Sequence, residues 1–81
     1  MIVQVRLFAA ARELIGADQL AVPLENEATV AQHRLAIWGA DERLNQLVDS
    51  SLFAINSQYA CSETAIAEGD EVALIPPVSG G

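Results

Sequence analysis

The sequence predicts an α+β domain in which one mixed sheet carries a single main helix on one face. Three observations lead there. Residues 2–8 alternate apolar and polar side chains, residues 71–75 form a second short apolar stretch near the end of the chain, and helical and strand patterns interleave between them. With a first and a last strand flanking the pattern, these two are expected to pair at the centre of the sheet. One helix laid over one face then closes a single core.

The elements follow in order. Val3, Val5 and Leu7 fall on one side of the first segment, with Ile2, Gln4, Arg6 and Phe8 on the other, which is a strand with one buried face. Residues 9–15 switch to strong helix formers, and Gly16 suits the C-terminal cap. Residues 19–24 alternate again through Leu20, Val22 and Leu24, with Pro23 tolerated near a strand end or edge. Thr29 is placed to cap a longer helix whose stripe runs through Val30, His33, Ile37 and Trp38. Gly39 is expected to break that helix, and residues 41–48 to form a second helical piece carrying Leu44, Leu47 and Val48. Residues 52–55 read as a strand, Asn56-Ser57 as a turn and residues 58–60 as the returning strand. Ala65-Ile66 falls in a loop or single helical turn, and Gly69 sits in a turn that favours positive φ before the last strand at 71–75. This is an α+β roll of the β-grasp, ubiquitin-like type, a domain over residues 1–75 followed by an extended tail, 76–81.

Composition narrows the possibilities. The chain has 81 residues, which is one domain, and 52% hydrophobic content excludes intrinsic disorder. Only 5% of residues are aromatic, so the core must be built from Ala, Val, Leu and Ile. No apolar run approaches the roughly 20 residues that cross a bilayer, and the first residues do not form a signal peptide, so the expected compartment is the cytoplasm. Four arginines and no lysine stand against eleven acidic residues, giving a net charge of −7. Nucleic acid and anionic membranes are therefore poor partners. An anionic substrate would need a second, more basic protein to supply its pocket. Acidity that only keeps the protein soluble fits the same numbers.

Conventional catalytic sets are missing. A single histidine precludes a multi-histidine metal site, and one cysteine precludes an internal disulfide. No metal site is expected. His33 is expected as a core histidine with a satisfied nitrogen, and Cys61 as a small, partly buried apolar residue. Glu25/Glu27 and Asp41/Glu42 read as solvated loop and helix ends, and Asp70/Glu71 borders a turn. Arg12-Glu13 fits either an exposed polar face or a partner contact.

The tail is the informative feature. Pro76 and Pro77 each hold φ near −65°, so the segment should leave the last strand stiff and extended. Six extended residues reach roughly 20 Å. Gly80 and Gly81 lack a Cβ and can thread a slot too narrow for other residues. The terminal carboxylate would become an acyl donor once ATP converts it to an adenylate. Attack by sulfur then leaves a thiocarboxylate, whereas attack by a lysine leaves an isopeptide bond. Strand parity suggests either a docking patch or the cover of a second core layer, because Phe8 shares a face with Gln4 and Arg6, Ile75 shares one with Glu71 and Ala73, and Tyr59 follows the Asn56-Ser57 turn.

Residues 8–16, FAAARELIG, and residues 68–81, EGDEVALIPPVSGG, resemble the small subunits of molybdopterin synthase. The Thr29-Val30 helix start and the Ile55-Asn56 turn fit the same family, so the resemblance spans the chain. It implies a β-grasp sulfur carrier with no bound cofactor. In such proteins the residue corresponding to Gly81 is adenylylated by a ubiquitin-activating-type enzyme using ATP, and a sulfur donor protein then converts it to a thiocarboxylate. The tail, here Pro76, Pro77, Val78, Ser79 and Gly80, enters a pocket of the large subunit in a heterotetramer of two small and two large chains. Sulfur passes to cyclic pyranopterin monophosphate, and two transfers build the dithiolene of molybdopterin. The small chain alone would not turn over. The family uses an apolar surface of the sort that strand parity suggests, and the expected interface residues are Phe8, Tyr59, Ile75 and Arg12. Two alternatives share the same terminus: a ubiquitin-like modifier conjugated through Gly81, and a sulfur carrier for thiamine thiazole synthesis. The missing lysines disfavour a modifier that polymerises through its own side chains. Two departures from the family pattern stand out. His33 occupies a commonly apolar helix position, and Leu74-Ile75 replaces a more aromatic pair.

Overall fold

The computed structural model describes residues 1–77, apart from the side chains of Trp38 and Ala40. Strand β1 spans Ile2–Leu7, helix α1 Ala9–Ile15, strand β2 Gln19–Pro23 and helix α2 Val30–Ala40. A 3-10 turn at Glu42–Leu44 leads into the short helix α3, Asn45–Val48. Strands β3, Leu52–Ile55, β4, Gln58–Ala60, and β5, Val72–Ile75, complete the sheet in the order β2-β1-β5-β3-β4. The first and last strands pair in parallel at its centre, Val5 opposite Val72 and Leu7 opposite Leu74, and every other pairing is antiparallel.

The alternation predicted for β1 is observed, with Val3, Val5 and Leu7 buried and Ile2, Gln4 and Arg6 exposed. These three pack with Val22, Phe53, Val72 and Leu74 against Val30, Ile37, Leu44 and Val48 in one core between sheet and helices. Each fully buried aliphatic side chain contributes roughly 1.5–3 kcal/mol of transfer free energy. Gly16 closes α1 in the left-handed region, φ 75°, with its amide donating to the Arg12 carbonyl. The Thr29 cap is also as predicted, and it is reciprocal. The Gln32 amide donates to Thr29 Oγ1, and the Thr29 amide donates to Gln32 Oε1. The 61–66 loop fastens the same helix start, because the Val30 amide donates to Thr64 O and the Ile66 amide to Ala28 O. Ile66 is fully buried.

Several local expectations need correction. Gly39 lies inside α2, and the break falls at Asp41, which turns extended at φ −155°. Asp41 is not a solvated end either. Its carboxylate accepts from the Arg43 amide and pairs with Arg43 Nη2 at 2.7 Å, which holds its pKa below the usual carboxylate range. Strand β2 stops at Pro23 rather than Leu24, although Leu24 still exchanges backbone hydrogen bonds with Met1. Strand β5 starts at Val72 rather than Glu71.

His33 is fully buried as expected, but neither ring nitrogen finds a partner among the described residues. The reason is its neighbour: the imidazole packs edge-on against the Phe53 ring, 5.2 Å between centroids, as a neutral aromatic would. Burial, reinforced by the charge on Arg34, lowers its pKa to about 4. Cys61 is exposed rather than partly buried. It leaves edge strand β4 into a turn, where its amide donates to Thr64 Oγ1.

Candidate functional site, an apolar groove on the open sheet face

The helices cover one face of the sheet, so strand alternation assigns the other face to a second set of side chains. Register places Arg6, Ala73, Ala54 and Tyr59 in one row across β1, β5, β3 and β4. The next row pairs Ile75 with Leu52, and Phe8 lies one residue beyond the Leu7–Leu74 pair. The two alanines leave a hollow between larger neighbours. A groove of about 240 Å³ results, walled by Phe8, Tyr59 and Ile75 over Ala54 and Ala73, with Ser57 and Glu71 completing the lining. Phe8 is 42% and Tyr59 72% exposed, unusual for aromatic rings in a small domain.

Three of the four interface residues predicted from the sequence therefore come together: Phe8, Tyr59 and Ile75. Arg12 does not join them. It sits on α1 in an exposed ion pair with Asp18, 3.7 Å apart, and is absent from the groove lining. At the start of the predicted tail, Pro76 is buried and Pro77 exposed, so the chain emerges between the two prolines directly beyond Ile75. Val78, Ser79, Gly80 and Gly81 lie outside the described residues.

One part of the site was missed. Among the described residues Glu71 is the only charged side chain lining the groove, and its backbone is clamped from both sides by Asn56. The Asn56 amide donates to the Glu71 carbonyl at 2.8 Å, and the Glu71 amide donates to Asn56 Oδ1 at 3.0 Å. Asn56 Nδ2 reaches Asp70 Oδ1, whose carboxylate also accepts from the Ala67 amide. These bonds, Ala67 first, lower the Asp70 pKa. Asn56 and Ser57 adopt φ 51° and 70°, the mirror-image turn that suits a two-residue hairpin, and this aims Asn56 at the 68–71 turn. Across the groove edge, Arg6 Nη1 lies 3.4 Å from Glu71 Oε1 and its guanidinium 5.9 Å from the Phe8 ring centre. Strand parity had put Arg6 beside Phe8 and Glu71 beside Ile75, which was the available signal.

Among the described residues no group of three or more His, Cys, Asp or Glu side chains is placed to hold a metal ion, and no helix is long and apolar enough to cross a membrane.

A five-stranded mixed sheet gripping one helix, with an open apolar face that runs into the final prolines, defines the ubiquitin-like β-grasp class. The ThiS family profile matches residues 5–81, and the chain belongs to that family. It is 34% identical over 83 residues to a molybdopterin synthase sulfur carrier subunit of Chlamydomonas reinhardtii, covering 100% of both chains. Among solved structures it resembles SAMP1 from Haloferax volcanii, with TM-score 0.84, 32% identity and 100% of each chain covered. It also resembles a chain in the complex of subunits 1 and 2 of molybdopterin-converting factor from Helicobacter pylori, with TM-score 0.69, 27% identity and 100% of each chain covered.

Proposed function

We propose that this protein is a sulfur carrier and acts as the small subunit of a molybdopterin synthase. The observation that carries the reading is the groove of Phe8, Tyr59 and Ile75, which opens beside the point where the chain emerges at Pro77. A partner seated on that surface receives the tail at the same time. The family membership and the subunit 1–subunit 2 complex of a relative support the large subunit as that partner.

In this reading a ubiquitin-activating-type adenylyltransferase transfers AMP from ATP to the Gly81 carboxylate and releases pyrophosphate. A sulfur nucleophile supplied by a donor protein displaces AMP and leaves a thiocarboxylate. This group is anionic at neutral pH and its sulfur is soft and nucleophilic, so the reactive centre is made by modification. Val78, Ser79 and Gly80 thread it into the large subunit, where cyclic pyranopterin monophosphate receives the sulfur. Two such transfers complete the dithiolene, in a cytoplasmic assembly of two small and two large chains. Proton transfers fall to the large subunit, so the chain alone is a sulfurtransferase component without turnover.

Intact-mass measurement tests this. After incubation with ATP, the activating enzyme and a sulfur source, the expected change is replacement of one oxygen by sulfur, and deletion of Gly81 should abolish it. An unchanged mass of the full chain would sink the proposal.

A second reading is favoured by the 0.84 TM-score to SAMP1, whose full name is a small archaeal modifier protein. The same adenylate attacked by a lysine would conjugate this chain to other proteins. Ladders of larger covalent adducts in place of the sulfur-bearing mass would select it.

A further inference from the structure

Among the described residues the mainly apolar groove carries one charged group, the Glu71 carboxylate, and the backbone beneath it is held in place. Glu71 lies at the lining with its amide and carbonyl both bonded to Asn56, so its position does not depend on a flexible loop. Its side chain is 55% exposed, and its counter-ion, Arg6, meets it at 3.4 Å with a half-exposed side chain of its own. An exposed pair at that distance contributes only about 0–1 kcal/mol, so an incoming cation can replace it.

The rest of the charge points the same way. Each of the four arginines is already engaged within the chain. Arg6 faces Glu71, Arg12 faces Asp18, Arg43 faces Asp41, and Arg34 donates to the carbonyls of Val48 and Ser51. Eleven acidic residues outnumber them, and the net charge is −7. The surface thus offers a docking partner carboxylates rather than unengaged cations.

We infer that Glu71 is a specificity-determining residue of the groove, and that it selects a protein partner presenting an apolar side chain flanked by an arginine or lysine. The apolar group fills the hollow over Ala54 and Ala73 between Phe8 and Tyr59, and the cation takes Glu71 from Arg6. Desolvation by the surrounding rings strengthens that pair relative to the exposed one in the free protein. Partners with an acidic residue at that point are rejected by like charge. This rests on the reading above, in which the groove seats the large synthase subunit.

The test measures association of the full chain with the large subunit of the same organism. Glu71→Gln keeps the shape of the side chain and the Asn56 clamp, which uses Glu71 backbone atoms only. It should slow association about three- to tenfold at low ionic strength, and the difference should vanish near about 0.5 M salt, where exposed charges are screened. Glu25→Gln makes the same change in net charge. Glu25 follows the β2 end that pairs with Ile2, whereas Phe8 follows the opposite end of β1, so this variant should stay within about twofold of wild type. Arg6→Gln should speed association, because it frees the carboxylate. Equal rates for wild type and Glu71→Gln at low salt overturn the inference and leave the docking reading standing. Equal slowing by Glu71→Gln and Glu25→Gln also overturns it, in favour of overall charge. Failure of the wild-type chain to bind the large subunit overturns both.

Discussion

The imidazole of His33 meets the ring of Phe53 edge-on, at 5.2 Å between centroids and 82° between planes, and neither of its nitrogens is hydrogen-bonded among the described residues. Its pKa is lowered from 6.5 to about 4, mainly by burial. The unfolded chain therefore takes up a proton below pH 6.5 that the folded chain refuses until about pH 4. Stability is full above that window and falls through it, by about 2 kcal/mol between about pH 7 and about pH 5. Urea titrations at the two pH values should show this loss. His33→Leu should remove most of it while leaving the neutral-pH midpoint unchanged or raised. The depressed carboxylates of Asp41 and Asp70 add a separate loss that sets in at lower pH, as the unfolded carboxylates take up protons in their usual range, and continues down through the lowered folded pKa values.

Phe8→Ala and Tyr59→Ala remove exposed rings, so thermal and urea midpoints should shift by less than about 0.5 kcal/mol. Calorimetric titration against the large subunit should show the dissociation constant rising at least about tenfold for either variant. A variant that lost stability without losing affinity would place its ring in the core instead.

Thr29→Ala removes the side-chain half of the reciprocal cap on α2, the Oγ1 acceptor of the Gln32 amide, and keeps the Thr29 amide's own bond to Gln32 Oε1. Urea unfolding should register a loss of about 1 kcal/mol, and Thr29→Ser should recover most of it.

Asn56→Ala should cost about 2 kcal/mol, from the lost bonds to Asp70 and Glu71 together with an alanine forced to φ 51°. Asn56→Gly should recover only the backbone share. Comparing the two by denaturant melts separates side-chain clamp from turn geometry.

What could be read from the sequence was what depends on neighbours in the chain. The parity of residues 2–8, the Gly16 and Thr29 caps and the Asn56-Ser57 turn are each set within a few positions, and all were observed. Parity also grouped Phe8 with Ile75, because adjacent parallel strands with matched register carry it from one to the other. The clamp joining Asn56 to Glu71 escaped notice since it spans 15 residues and depends on how two turns meet. Arg12 lies apart from the groove for a related reason. The chain changes direction at Ala9, φ 50°, so proximity to Phe8 in sequence does not translate into a shared face. The His33 nitrogens had no sequence signal at all, because a partner for a buried imidazole is a property of the packed core.

The parallel pairing of β1 with β5 has a consequence for biosynthesis. The central ladder joins Val5 to Val72, a separation of 72 − 5 = 67 residues. Every other strand hangs on that ladder from one side or the other, so the sheet cannot close until β5 at Val72–Ile75 has been translated. A ribosome stalled before codon 72 would hold a hairpin of β1 and β2 with its apolar side uncovered, a species for chaperones or proteases. Strand β5 is thus the keystone of the domain, and a chain that displays Pro77 beyond it has already completed the sheet beneath.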